Sequence, residues 1–137
     1  MRGRNTLFSS KSDNWATPKE FYNELNEEFK FNKFDPCPLN NSFDGLKTDW
    51  IGNVFINPPY SNIRAFLEKG LSELKKGNVT LLVYLVPART DTRWFHDLVY
   101  GKGELRFIKG RLKFGDQKNS APFPSMIIIF KGGLNDY

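Results

Sequence analysis

The sequence contains a single cysteine, Cys37, and a single histidine, His96. A lone thiol excludes an internal disulfide, and so few soft ligands do not make a zinc site, so neither a disulfide scaffold nor a structural metal is expected. Long hydrophobic runs are also missing. The longest, Val79 to Val86, is broken by Thr80 and falls far short of the roughly 20 residues that cross a bilayer. The N-terminus begins Met1-Arg2-Gly3-Arg4 but has no apolar stretch of signal-peptide length behind it. These absences predict a protein of the reducing cytoplasm, with no membrane segment.

What is present suffices for one globular core. In 137 residues, 39% are hydrophobic and 15% aromatic, with no repeat and no low-complexity bias. Residues 1–14 lack periodicity and are expected to be a flexible terminus, leaving 15–137 as a single domain. The net charge of +5 is moderate, but its distribution is uneven. Between Gly101 and Lys118, Lys102, Arg106, Lys109, Arg111, Lys113 and Lys118 face only Glu104 and Asp116, an excess that suits phosphate neutralisation as well as an ordinary solvated surface.

Periodicity supplies the elements. Thr17-Pro18-Lys19-Glu20 reads as a helix start with the hydroxyl as cap, followed by Phe21, Leu25 and Phe29 on one face. Lys30 to Asp35 reads as a short first strand stopped by Pro36, and 36–52 as loop with one helical turn near Phe43 to Leu46. Val54 to Ile56 forms a second strand. A helix follows, its stripe of Ile63, Phe66, Leu67, Gly70, Leu71 and Leu74 ending at Lys75-Lys76-Gly77. Val79 to Val86 is then a buried strand, and Thr92 to Val99 a helix. Strands at Leu105 to Ile108, Leu112 to Phe114 and Met126 to Phe130 close the chain around a turn at Lys109-Gly110. Strand, helix and strand in that order imply a parallel crossover. The expected fold is a small three-layer α/β domain whose sheet is mostly parallel, with an antiparallel C-terminal strand, and whose ligands bind beyond the carboxyl ends of the strands.

The strand Val54-Phe55-Ile56 runs directly into Asn57-Pro58-Pro59-Tyr60. The amino group of an aromatic base is a poor nucleophile because its lone pair is delocalised into the ring. Two acceptors, the Asn57 side-chain carbonyl and the Pro58 backbone carbonyl, localise that pair by binding the amino hydrogens. Consecutive prolines restrict the backbone that aims the Pro58 carbonyl, and Tyr60 offers an aromatic face to a base taken out of its stack. With proline at about 5% of residues, such a tetrad arises by chance in roughly one chain in a few thousand of this length, too rarely to be dismissed as a turn.

With these residues the chain resembles S-adenosylmethionine-dependent amino-methyltransferases, and most closely the phage-type DNA N6-adenine methyltransferase family. The likeness spans Trp15 to Phe130 and includes Trp15-Ala16-Thr17-Pro18, Asp35-Pro36-Cys37, Asp44-Gly45-Leu46 with Trp50, and Pro87-Ala88-Arg89-Thr90-Asp91-Thr92 with Trp94-Phe95. It continues through Gly110-Arg111-Leu112-Lys113-Phe114 and Ala121-Pro122-Phe123-Pro124-Ser125. The resemblance implies a Rossmann-like methyltransferase fold and transfer of a methyl group from S-adenosylmethionine to the N6 amino group of a flipped adenine in DNA, in a bacterial or phage-infected host cell. It implies that Trp15, Thr17 and Pro18 touch the methionine part of the cofactor, with Asp35 nearby and Asn57 at the reacting end, and that Cys37 packs without reacting. The glycine-rich turn of the broader class is absent, and the stretch from Asp35 to Asn57 is abbreviated, so Asp44 and Asp49 remain the candidates for the adenosine end. Arg89, Thr90 and Arg93, with Lys109, Arg111 and Lys113, are the expected DNA contacts. Trp94 and Phe95 are assigned to the core, and His96 to the surface. A homodimer stays open for so small a reader.

The tetrad alone does not choose its amine: an RNA base, cytosine in DNA or a protein glutamine would meet the same acceptors. A DNA-binding module that keeps the fold but has lost catalysis is the alternative outside enzymes, and it would show no heat of binding with S-adenosylmethionine.

Overall fold

The computed structural model describes residues 16–38, 43–114 and 121–132. The expectations for residues 1–14 and for Trp15 lie outside them. The centre is a sheet of four strands, β1 (Gly52–Ile56), β2 (Val79–Pro87), β3 (Glu104–Phe107) and β4 (Ser125–Lys131), in the spatial order β1-β2-β4-β3. β2 is buried almost from end to end, which is why its sequence is a nearly unbroken apolar run. Alternation sorts the side chains onto two faces. Val54, Ile56, Leu82, Tyr84, Val86, Met126, Ile128 and Phe130 join one cluster, whereas Phe55, Leu81, Val83, Leu85, Ile127 and Ile129 join another.

Each face is covered by one helix. α1 (Lys19–Phe29) sets Phe21, Tyr22, Leu25 and Phe29 against the second cluster, and α2 (Ile63–Lys76) sets Ile63, Phe66, Leu67 and Leu74 into the first. The result is three layers, as the pattern predicted. α2 stops where expected: Gly77 adopts φ 90°, and its N–H donates to Leu74 O at 3.1 Å. Gly70 is required by proximity, since a Cβ there would overlap the Tyr84 hydroxyl, which itself donates to Phe66 O at 2.7 Å. Full burial of each large apolar side chain contributes roughly 1.5–3 kcal/mol, more than a surface ion pair, so the two clusters and not the charged rim set the stability.

The sheet is not mostly parallel. Only β1 and β2 run parallel, with Ile56 level with Tyr84, while β2 with β4 and β4 with β3 are antiparallel. A parallel pair needs a long crossover, and α2 supplies the one that joins β1 to β2; the chain after β2 returns by shorter connections. The predicted first strand does not form either. Lys30 leaves α1 at φ 53°, and beyond it one backbone bond, Asn32 N–H to Asn53 O at 2.9 Å, ties this segment to β1. Asparagine side chains replace the missing ladder: Asn32 Nδ2 donates to Ile51 O at 3.1 Å and Asn53 Nδ2 to Phe29 O at 2.7 Å. Leu112 to Phe114 is likewise no strand, although Leu112 and Phe114 pack into the core and Ala121 N–H donates to Leu112 O at 2.7 Å. The predicted helix at Thr92 to Val99 forms mainly as a π-helical turn over Phe95–Val99, closed by Tyr100 N–H to Phe95 O at 2.8 Å.

Candidate active site

Alternation along β1 turns Asn57 toward the α1 face, directly beyond the strand's carboxyl end. There Asn57 Nδ2 donates to Thr17 Oγ1 at 3.0 Å. Thr17 is therefore not the helix cap: α1 begins at Lys19 with Pro18 in the capping position and no side-chain cap bond, and Pro18 O accepts from Tyr22 N–H at 3.0 Å. The hydroxyl has been diverted from the helix to the tetrad. Asn57 Oδ1 is itself buried, so its use as an acceptor requires the amide to turn or the amine to arrive directly against it.

Two cavities flank this point. One, of about 340 Å³, is lined by Ala16, Thr17, Lys19, Tyr22, Asp35, Cys37, Phe55 and Asn57. The other, of about 400 Å³, is lined by Cys37, Pro38, Phe43, Asp44, Gly45, Pro59 and Phe66. Cys37 is the wall common to both, and the tetrad straddles them, with Asn57 on one side and Pro59 on the other. Thr17, Asp35 and Asn57, distant in sequence, thus meet around one space, and Asp44 lines the next. Asp49 lines neither; it is exposed, with its charge felt by Lys76. A larger groove of about 490 Å³ between α2 and the π-helical turn contains none of these residues.

Burial dominates the electrostatics of the first cavity. Asp35 Oδ1 accepts from Cys37 N–H at 2.8 Å, but crowding by protein atoms outweighs that bond and holds the carboxyl above its ordinary pKa. Burial, and next the Asp35 charge, push the Cys37 thiol far up, so it is an inert wall as expected. Asp44 Oδ1 caps the short 3-10 turn Gly45–Lys47 by accepting from Leu46 N–H at 3.0 Å. That turn sits against the Asp35-Pro36-Cys37 loop so closely that a Cβ on Gly45 would overlap the Pro36 carbonyl, and Trp50 Nε1 donates to Gly45 O at 2.9 Å from beneath.

Pro59 caps a 3-10 turn over Tyr60–Asn62, with Asn62 N–H donating to Pro59 O at 2.9 Å, which fixes where Tyr60 emerges. Burial raises the Tyr60 phenol well above its usual pKa, against the opposing pull of the Arg89 charge, so the ring is neutral. Its ring meets Phe123 edge-on, with centroids 5.2 Å apart and an interplanar angle of 79°. Phe123 had no assigned role in the sequence reading; its signal was an aromatic residue held between Pro122 and Pro124. Of the expected DNA contacts, Arg89, Thr90, Arg93, Lys109, Arg111 and Lys113 are all exposed. Arg106 does not belong with them, because its guanidinium grips both oxygens of Glu28, at 2.7 and 2.6 Å, and also bonds Glu104.

The rim of these paired cavities carries the Asn-Pro-Pro-Tyr segment by which the chain resembles the amino-methyltransferase class. Comparison with known proteins narrows this. The family described as DNA N-6-adenine-methyltransferase (Dam) matches residues 4–135, and the chain belongs to that family. A DNA N-6-adenine-methyltransferase of Haemophilus phage HP1 (strain HP1c1) is 29% identical over 150 residues, covering 96% of this chain and 85% of that protein. One of Escherichia phage T1 is 28% identical over 125 residues, covering 81% of this chain and 50% of that protein.

Proposed function

We propose that this chain transfers a methyl group from S-adenosylmethionine to the N6 amino group of an adenine flipped out of DNA. The observation that carries the proposal is the meeting of Thr17, Asp35 and Asn57 around one cavity, with Pro59 and Asp44 lining the next. The architecture fits an abbreviated Rossmann-like sheet, since both cavities lie at the carboxyl end of a strand of the parallel pair.

S-adenosylmethionine supplies an electrophilic methyl carbon on a sulfonium. The charged amino-acid end suits the cavity of Thr17, Lys19 and Asp35, where the carboxylate faces an ammonium and Lys19 a carboxylate. The flat nucleoside suits the cavity lined by Phe43, Pro59 and Phe66, with Asp44 at its rim. Asn57 Oδ1 and the Pro58 carbonyl accept the two amino hydrogens of the target, which drives the nitrogen toward a pyramidal shape and frees its lone pair. No side chain needs to act as a strong base, in keeping with a neutral Tyr60 and an inert Cys37. Tyr60 supplies a stacking face that offsets part of the cost of base flipping, and Phe123 props the Tyr60 ring edge-on.

Unmethylated DNA incubated with the protein and methyl-labelled S-adenosylmethionine, digested to nucleosides, tests the assignment. Label is expected in N6-methyl-2′-deoxyadenosine. Label confined to N4-methylcytosine, or appearing only when RNA is offered, would overturn it.

A further inference from the structure

One histidine remains outside the chemistry described so far, and it holds the loop that follows β2. Because β1 and β2 are adjacent and parallel, the segment beyond Pro87 runs beside the tetrad. Ala88 N–H donates to Pro124 O at 2.9 Å, next to the Phe123 ring that abuts Tyr60. From there the loop is pinned at each step. Arg89 N–H donates to Pro87 O at 2.8 Å, and Thr92 Oγ1 donates to Arg89 O at 2.8 Å. His96 Nε2 lies 2.7 Å from Thr90 O, and a carbonyl only accepts, so Nε2 carries the proton. The imidazole is held upright between Phe95 and Tyr100, with ring centroids at 5.4 and 5.9 Å.

This bracing fixes the backbone that carries Arg89. Arg64 is engaged by Glu68 and Asp97, and Arg106 by Glu28 and Glu104. Arg89 is exposed, makes no ion pair among the described residues, and has its charge felt at Tyr60. An unneutralised guanidinium beside the stacking residue matches what a flipped nucleotide brings with it, a flanking phosphate. Resting on the adenine-methyltransferase reading, we propose that His96 is a positioning residue, holding the Arg89-Thr90 loop so that Arg89 grips a phosphate next to the flipped nucleotide.

Steady-state kinetics on unmethylated plasmid DNA, with calorimetry against S-adenosylmethionine alone, test this. Arg89→Ala should raise KM for DNA about tenfold and lower the salt slope of DNA binding by about one, with cofactor affinity unchanged. His96→Phe keeps the ring contacts but lacks the donor, and it should raise KM for DNA by about fivefold at an unchanged melting temperature. His96→Gln, whose amide can reach Thr90 O, should restore it. Because His96 acts through Arg89, the double variant should be no worse than Arg89→Ala. An additive double variant, a His96→Phe defect that glutamine does not repair, or an unchanged KM for DNA in Arg89→Ala would overturn the proposal. A wild type that puts no label on adenine would instead remove the reading beneath it.

Discussion

Asp35 answers to two opposed demands. Crowding holds its carboxyl above the ordinary carboxylate pKa, so the folded protein prefers it neutral and stability falls as the pH rises from the unfolded pKa through that raised value. An ammonium in the cavity reverses the preference. Asp35→Asn should therefore melt at or above the wild-type temperature at pH 7, yet bind S-adenosylmethionine about tenfold more weakly by calorimetry. Wild-type affinity should also fall as the pH drops through the raised Asp35 pKa, whereas that of the variant stays flat; matching pH profiles would separate Asp35 from the ligand. At the residue scale the sequence singled out Thr17, Asp35 and Asn57, and folding lines one cavity with all three. Phe123 was not legible, since only folding brings it against Tyr60.

Among the elements, α2 followed directly from its apolar stripe and glycine stop. Its polar anchor did not. Glu73 is fully buried and accepts from Trp50 N–H at 2.8 Å, Lys76 Nζ at 2.8 Å and Lys69 Nζ at 3.2 Å. Burial alone would raise its pKa; these bonds outweigh it and leave it below the ordinary 4.5. A depressed carboxylate stabilises above its unfolded pKa, and that contribution is lost as the pH falls through the folded value. Glu73→Gln should lose about 1–3 kcal/mol in urea unfolding at pH 7, with the gap closing as the pH falls through the lowered Glu73 pKa and the wild-type side chain also protonates. A gap independent of pH would exclude the charge as its cause. The loops depend on a different device. Gly45→Ala forces the 3-10 turn off Pro36 and should cost about 1–3 kcal/mol in thermal unfolding while weakening cofactor binding, because one wall of each cavity moves. The expected first strand failed for a reason that periodicity does not register: Asn32 and Asn53 use side chains where a ladder would use backbone.

For the molecule as a whole, the three layers could be read from the chain, but strand direction could not. Apolar runs such as Met126 to Phe130 fit a buried strand of either sense, and the connections decide between them. Among the described residues no helix is long and apolar enough to cross a membrane. The account stands on Asn57 and its two neighbouring cavities, and one comparison tests it most directly. Single-turnover transfer of labelled methyl to adenine, at saturating cofactor and DNA, should be about a thousandfold or more slower for Asn57→Ala than for the wild type. Equal rates for the two proteins would contradict it.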